Sequence, residues 1–227
     1  QQTENALRFD VVGRHLTGAA ADTALEVDTY LLERINDVRR WSEEESVIEA
    51  VREASRVARE QNWTDLSPAR VRAELEGSLF VPITRPLFSP ALSFIFLQTE
   101  RPGTPFIEVI VTEAGGLNTI ITRPVDDVSH VDELWWQNAR FQGIAGIGLT
   151  DIYRDPATNQ PVIGLALPVL DPNTKEVLGV IRALVKLTDL QRRVSQKAIS
   201  TNADIQIFNN QGWLVAHTAS RPNDSLI

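Results

Sequence analysis

The chain has 227 residues, of which 43% are hydrophobic and 23% are charged, and its formal net charge is -8. This composition predicts a folded globular protein with one large or two small domains, and it argues against disorder. The acidic balance, without clusters of Lys and Arg, argues against a nucleic-acid partner. Because the chain has no Cys, disulfides and thiolate chemistry are excluded.

The first forty residues predict one long helix. Apolar residues recur with a mean step of about 3.6, the repeat of an α-helix, and no Pro interrupts them. They are Phe9, Val12, Leu16, Ala20, Ala24, Val27, Leu31, Ile35 and Val38. The alanine-rich centre GAAADTA favours pairing with the same helix of a second copy, so we expect a homodimer through this helix. The alternative is a helix packed on its own domain.

Two further helices are predicted before the first strand. Ser42 and Glu45 have the spacing of a capping box, which predicts a new helix after a bend near Trp41. That helix would bury Val47, Val51, Ala54 and Ala58. Ser67 followed by Pro68 predicts the start of a third helix, and the proline-rich stretch FVPITRPLFSPAL predicts a loop.

From Phe106 onward the apolar period changes to two, which predicts strands. FIEVIVT (106–112) and NTIITR (118–123) form a predicted hairpin across Gly115 and Gly116. GIGLTDI, VIGLALPVL and VLGVIRALV are three further strands, joined by polar turns and therefore antiparallel. Ser129 would cap a short helix, LTDLQRRVSQKAI would be an exit helix, and ADIQIFNNQGWLVAH a second hairpin turning at 209–212. The predicted fold class is α+β, with a five-stranded antiparallel sheet flanked by helices.

Catalytic and metal chemistry find little support in the sequence. The three His residues have none of the spacings of a zinc site, and Gly115-Gly116 joins two strands, unlike a phosphate-binding loop. Glu133, Asp151 and Asp155 could be read as paired carboxylates, but charged residues at strand ends are far commoner than catalytic dyads. We therefore expect no catalytic residue, no metal and no cofactor.

The stretch DELWWQNAR (132–140) carries two adjacent tryptophans, Trp135 and Trp136. Neighbouring helix positions point about 100° apart, which suggests that both indoles cannot face one core. We expect one indole in the core and the other lining a pocket or covering a loop.

The order of these elements resembles the extracytoplasmic double Cache sensor domains of bacterial receptors. The segments that carry the resemblance are VTEAGGLNTIIT, DELWWQNA, YRDPATNQPVIGLALPVLD and EVLGVIRALVKLTDL. The later NNQGWLVAH is similar to the opening hairpin of the second, membrane-proximal module. The resemblance implies a PAS-like sheet with a small-molecule pocket, hung on a long paired helix that continues from a transmembrane segment. It also implies a cytoplasmic output domain such as a histidine kinase, chemoreceptor, cyclase or phosphatase.

On this basis the chain divides into three predicted parts. Residues 1–64 would be the stalk and dimer element, 65–198 the membrane-distal sensor domain, and 199–227 the start of a membrane-proximal module or a reduced second hairpin. No run of roughly 18 apolar residues is present and the start QQTENALRFD lacks the form of a signal peptide, so we expect a cytosolic protein or a soluble part of an anchored one.

The resemblance also assigns site residues. Trp135 matches the tryptophan of the family's helix, and Tyr153 with Asp155 matches its Tyr-x-Asp. Glu133 stands where the amino-acid sensors carry Arg, and Leu184 where they carry a final Asp. An amino-acid ligand is therefore not favoured.

Arg182 could replace the ligand-binding Arg that is absent at position 133, because strand alternation puts Arg182 on the same face as Leu184. A buried guanidinium needs an anionic partner. We hypothesise a small organic anion held by Arg182 and walled by Trp135, Trp136 and Tyr153. Alternatively, Arg182 pairs with Glu133 or Asp151, or lies on the outer face.

The leading interpretation is a non-catalytic ligand-binding sensor module from outside the cytoplasmic membrane, membrane-anchored in the full-length receptor. The alternative is a structural or dimerisation module with a degenerate pocket, and a cytosolic enzyme comes third.

Overall fold

A computed structural model describes most of the chain, namely residues 2–63, 66–67, 69–70, 73, 89–125, 127–141, 146–150, 152–201, 205–208 and 214–217. Asp151, most of the helix predicted after Ser67 and the turn predicted at 209–212 lie outside these residues. Contacts divide the chain into two compact units. The first comprises Gln1–Arg34, Ile152–Val162 and Leu187–Ile227, and the second comprises Ile35–Asp151 and Ile163–Lys186.

Five helices and eight strands have defined bounds within the described residues. The helices are α1 (Gln2–Ser42), α2 (Glu45–Glu60), α3 (Pro90–Glu100), α4 (Leu134–Phe141) and α5 (Thr188–Thr201). The strands are β1 (Phe106–Glu113), β2 (Asn118–Ile121), β3 (Gly148–Leu149), β4 (Tyr153–Arg154), β5 (Pro161–Leu170), β6 (Val177–Lys186), β7 (Gln206–Phe208) and β8 (Leu214–His217). None of the described helices is long and apolar enough to cross a membrane.

The main sheet is antiparallel with the order β2-β1-β6-β5-β3, and β4 also pairs with β5. The predicted α+β class is confirmed. The strand predicted over GIGLTDI (146–152) is reduced to the short strand β3, and β4 follows just after it, so the sheet has six strands where we expected five. The long β1–β6 ladder joins strands that are about seventy residues apart in the chain, as a sheet with a helical insertion allows.

Helices cover both faces of the sheet in the second unit. A Cβ added at Gly179 of β6 would meet Val51 of α2, whereas the next residue, Val180, clusters with Trp135 of α4. Because consecutive strand residues point to opposite faces, α2 and α4 lie on opposite sides of β6. The predicted buried face of α2 is confirmed, since Val47, Val51, Ala54 and Ala58 are all buried.

Three predicted element boundaries were wrong. Ser42 is the last residue of α1 and its hydroxyl donates to the Arg39 carbonyl, so the cap residue of α2 is Glu44, without a side-chain cap. Ser129 bridges to Leu117 in a β-bridge and does not cap α4, which begins at Leu134. The end of the predicted proline-rich loop is instead the start of α3, where the Ser89 hydroxyl accepts from the Leu92 amide at 3.3 Å.

The long N-terminal helix is confirmed, but its buried face differs from the predicted stripe. Ala19, Thr23 and Tyr30 are buried, whereas Leu16 of the stripe is exposed. The predicted stripe counted alanines as apolar, and Ala20 and Ala24 are exposed like Leu16. The C-terminal end of the stripe is correct, because Ile35 and Val38 are buried.

Within the first unit, α5 is attached to α1 by ion pairs around a buried tyrosine. Arg193 of α5 lies 3.2 Å from Glu26 and 2.8 Å from Glu33 of α1. Its guanidinium carbon lies 5.2 Å from the centre of the Tyr30 ring. Burial, together with the negative charge of Asp189, raises the pKa of Tyr30 to about 12.

This pKa predicts how stability depends on alkaline pH. Below pH 10 the phenol of Tyr30 is neutral in both states, so its contribution to stability is complete. Between pH 10 and about 12 the unfolded phenol ionises first, and stability falls as the pH rises. Urea unfolding across this pH range measures the free energy of unfolding of the wild type and of Tyr30→Phe. The advantage of the wild type over Tyr30→Phe should shrink as the pH rises. A constant difference would contradict the raised pKa.

Candidate functional site

The sequence prediction that Arg182 shares a face with Leu184 is confirmed, and this face is the one covered by α4. The guanidinium carbon of Arg182 lies 5.1 Å from the centre of the Trp135 ring, a cation–π geometry. Leu184, two residues later on β6, is buried. Arg182 is therefore not on an outer face, which was one of the alternatives.

Among the described residues, the carboxylate that pairs with Arg182 is Glu108 of β1, at 3.5 Å, and not Glu133. Asp151, the other partner that the sequence suggested, lies outside the described residues. A bulge between Phe106 and Glu108 shifts the register of β1, so that Glu108 lies opposite Leu184. Glu108 alternates with Ile110, the residue opposite Arg182, so its side chain lies on the face of Arg182, whereas the bulge places Phe106 on the other face. Glu108 also pairs with Arg123, at 2.5 Å, and one carboxylate thus serves two guanidiniums.

Both tryptophans of α4 are buried, each with 4% of its surface exposed. The expectation that they cannot share one core was wrong, because Trp135 and Trp136 belong to one cluster with Ala139, Ala166 and Val180. Small residues on the sheet and on α4 leave room for two large side chains that diverge by 100°. The Trp136 indole donates to the Thr112 hydroxyl at 2.9 Å, which satisfies its buried N–H.

Glu133, just before α4, links three side chains of this face. One oxygen of its carboxylate contacts Nδ1 of His130, and the other accepts from the Trp135 indole. Burial raises the pKa of Glu133, but the bonds from His130 and Trp135 and the charges of His130 and Arg182 outweigh burial, so the pKa is lowered overall. The ionised carboxylate thereby fixes the orientation of the Trp135 ring over Arg182.

Both ring nitrogens of His130 have a side-chain partner. The Asn118 amide nitrogen donates to the Asp127 carbonyl at 2.7 Å, so the Asn118 oxygen faces Nε2 of His130, at 3.0 Å. Nδ1 of the same ring contacts the Glu133 carboxylate. The His130 ring is therefore held on both sides, between Glu133 and Asn118.

The described charged side chains of this face form two linked groups. Glu108 pairs with Arg123 and Arg182, and Glu133 contacts His130. The two carboxylates thus connect the basic side chains of this face.

Three further residues were predicted to contact a ligand, namely Tyr153, Asp155 and Asp151. Tyr153 and Asp155 belong to the first unit, where Tyr153 pairs with Val162 in the β4–β5 ladder. The Asp155 carboxylate is buried and accepts from the amide and hydroxyl of Thr158, at 2.9 and 2.6 Å, which closes the turn before β5. Asp151 lies outside the described residues, and the roles of all three as ligand contacts stay predictions. No group of residues that could hold a metal ion occurs in the described part of the chain.

Sequence reasoning missed Glu108, Arg123 and Asn118, and considered His130 only as a zinc ligand. A signal for Glu108 was present, because it is the single charged residue in the apolar run FIEVIVT before the turn. A charged residue in a buried strand needs a partner. Nothing in the sequence indicated which partner, since the pairing of β1 with β6 has no signature in the local sequence.

Comparison with known proteins rests on structure alone. The sequence matches no protein-family model and no curated protein. The ligand-binding domain of the Pseudomonas fluorescens chemoreceptor CtaA in complex with L-leucine matches with a TM-score of 0.57 at 18% identity, over 98% of this chain and 75% of that chain. Its complexes with L-isoleucine (TM-score 0.56, 18% identity, 99% and 74% covered) and L-serine (0.54, 18%, 96% and 75%) match similarly.

At this identity the likeness concerns the fold. The elements follow the order that the Cache resemblance predicted, with a long N-terminal helix, an antiparallel sheet and flanking helices. The chain therefore has the α+β fold of a chemoreceptor ligand-binding domain.

Proposed function

We propose that this chain is the extracytoplasmic sensor module of a membrane-anchored bacterial receptor, and that it binds a small organic anion without transforming it. The observation that carries the proposal is the position of Arg182, a largely buried guanidinium that lies against Trp135 and shares the Glu108 carboxylate with Arg123. The fold supports it, because domains with this fold bind small molecules in chemoreceptors.

The ion pairs suggest how an anion could be admitted. Glu108 lies 2.5 Å from Arg123 but 3.5 Å from Arg182, so the contact to Arg182 is the weaker one. A ligand carboxylate that takes over Arg182 would leave Glu108 paired with Arg123, and no buried charge would be left alone. Trp135 would form the wall beside the ligand.

An organic anion is favoured over an amino acid at this site. The CtaA domain binds L-leucine, L-isoleucine and L-serine in the structures that match. In this chain Glu133 is already committed to His130 and Trp135, and the position expected to hold an ammonium group is the buried Leu184. The described residues of this face therefore offer a group for a carboxylate and none that is unoccupied for an ammonium.

A ligand of this kind would signal by selecting one of two arrangements of the module. It can shift their populations only by its difference in affinity for the two. We propose α5 as the output element, because it leaves the last strand of the main sheet and is bound to α1 by Arg193.

A thermal-shift screen tests the proposal, using short mono- and dicarboxylates, amino acids, amines and sugars. A ligand that binds the folded state raises the melting temperature, and at one hundred times its Kd it adds about 2.7 kcal/mol of stability. We expect carboxylates to give the shift and the matched amino acids to give less. Calorimetric titration of the best acid should then show loss of binding in Arg182→Ala and unchanged binding in Arg56→Ala, which removes an exposed guanidinium of α2. No hit in the panel, or unchanged affinity in a folded Arg182→Ala, would refute the anion site.

The second candidate function is a dimerisation module with a degenerate pocket, and an exposed leucine pair favours a dimer in either case. Leu25 and Leu32 of α1 are 66% and 58% exposed, and they lie one heptad apart. At 100° per residue they project opposite the buried Thr23 and Tyr30. This spacing is that of a coiled-coil seam.

We therefore expect Leu25→Glu with Leu32→Glu to weaken a homodimer of this chain by at least roughly tenfold in Kd. Like charges facing each other across the seam would replace the apolar contact. Analytical ultracentrifugation measures the change. Leu97→Glu on α3 is the matched control, because Leu97 is 58% exposed, and it should leave the dimer unchanged. A monomeric wild type at all accessible concentrations would argue against this seam.

A further inference from the structure

A cavity in the same compact unit shares no residue with the face around Arg182. It has a volume of about 460 Å³ and lies between the end of α1, the start of α2 and the β5–β6 hairpin. Its walls are mostly apolar, formed by Ile48, Ile147, Leu167, Pro168, Leu170 and Pro172. The size and the apolar walls are those of a small-molecule site.

The polar residues of this cavity carry an excess of positive charge. Arg39 and Lys175 are both exposed, and Glu43 is the one carboxylate among the described lining residues. One guanidinium nitrogen of Arg39 donates to the Asn36 side chain at 2.9 Å, which positions the group and leaves its other N–H groups available. No ion pair among the described residues involves Arg39 or Lys175.

The backbone at Lys175 is held in an unusual conformation. Its φ angle is 63°, in the left-handed region that Lys seldom adopts. The turn that imposes it is well defined, because the Asp171 carboxylate accepts the amides of Asn173 and Thr174 at 2.8 and 2.9 Å and pairs with Arg52 at 2.6 Å. The Lys175 amide also donates to the Asp171 carbonyl at 3.0 Å. A Gly or Asn would fit this position with less strain. The well-defined turn nevertheless places the Lys175 cation at the cavity.

We propose that this cavity binds a small amphipathic carboxylate, with the hydrocarbon chain against Ile48 and Leu167 and the carboxylate between Arg39 and Lys175. The apolar walls remove the chain from water, at about 0.8 kcal/mol for each buried CH₂ group. The two cations give the carboxylate charge-assisted hydrogen bonds at the exposed end, where the head group keeps part of its hydration. Both parts of the ligand are needed for affinity.

Titration calorimetry of the full chain with hexanoate, hexanol and acetate tests both requirements. Hexanoate should bind, and hexanol and acetate should each bind at least about tenfold more weakly, because each lacks one of the two interactions. Lys175→Asn removes the ammonium group while keeping a residue that tolerates the left-handed backbone. It should weaken hexanoate binding by about five- to tenfold, and Arg39→Gln should do the same. Arg101→Gln, which removes an exposed arginine outside this cavity, should change nothing.

A blocking variant separates the cavity from the rest of the molecule. Ile147 is half-buried, so Ile147→Trp can fill the cavity, and it should abolish hexanoate binding with an unchanged circular dichroism spectrum. Arg182→Ala should retain full hexanoate affinity, so this proposal and the anion site around Arg182 can fail independently. Equal affinity for hexanol and hexanoate, no effect of Lys175→Asn, loss of binding in Arg182→Ala, or no binding of hexanoate to the wild type would each overturn it.

Discussion

Replacing Glu108 with Gln should lower the free energy of unfolding by about 3 to 5 kcal/mol, the cost of breaking a buried ion pair from one side. Glu108 is buried and is shared by Arg123 and Arg182, so its loss leaves two guanidiniums close together without their carboxylate. Both arginines are largely shielded from water, which limits the relief that solvation can give. Urea denaturation measures the change in the free energy of unfolding, and the dependence of that free energy on urea concentration should stay the same.

The matched control is Glu49→Gln on α2. Glu49 is exposed, so the same chemical change should alter stability by less than about 0.5 kcal/mol. Glu108→Gln offers a second readout, because removing the internal competitor of Arg182 should increase affinity for the anion identified in the thermal-shift screen. A loss of stability below about 1 kcal/mol would show that Glu108 does not hold the two arginines together.

Replacing Trp136 with Ala should also cost about 3 to 5 kcal/mol. The indole is buried in the cluster on α4, and its removal leaves a cavity against Val180 while the Thr112 hydroxyl loses its donor. Trp136→Phe keeps most of the apolar surface and should cost less, about 1 to 2 kcal/mol.

Phe141→Ala provides the control on the same helix. Its ring lies 6.0 Å from that of Trp136 but is 74% exposed, so its removal should change stability by less than about 1 kcal/mol. Denaturant unfolding of the three variants in one buffer gives the comparison. If Trp136→Ala costs no more than Phe141→Ala, the indole is not part of the core.

Periodicity made much of the fold predictable. The helix repeat predicted α1 and α2, and the alternation of apolar residues on both sides of Gly115-Gly116 predicted the first hairpin. In the structure Gly116 has a φ of 86°, as a glycine turn allows. The pairing of β1 with β6 could not be inferred, because hydrogen bonds between distant strands leave no trace in the local sequence. The helix α3 was not predicted, because the three prolines before and at its start indicated a loop. Pro90, however, stands in the first turn, where helices accept proline.

The candidate site was predictable only in part, for a related reason. Alternation along β6 placed Arg182 correctly, because that strand is regular from Val177 to Lys186. On β1 the same rule would put Glu108 and Phe106 on one face, and the bulge between them reverses this. Glu108 keeps the alternation of Ile110, which lies opposite Arg182, and Phe106 is the residue that changes face. Side-chain partnerships of this kind depend on tertiary register, which local patterns do not contain.

The capping failure has a similar origin. Ser42 and Glu45 have the right spacing, but α1 continues through Ser42, so its hydroxyl bonds back to Arg39 and is not available to α2. Serine within the last turn of a helix competes for the preceding carbonyls. The motif was present, and the neighbouring helix determined which partner it used.

The shared carboxylate of Glu108 has a consequence for how the proposed anion site would behave over time. A tethered group that competes for Arg182 acts as a ligand of high effective concentration that never diffuses away. Every incoming anion must displace it, and every departing one is replaced by it at once. Competition by Glu108 therefore lowers the affinity of the site for the ligand but speeds the release of the ligand. A receptor that must register falling as well as rising concentrations benefits from this exchange.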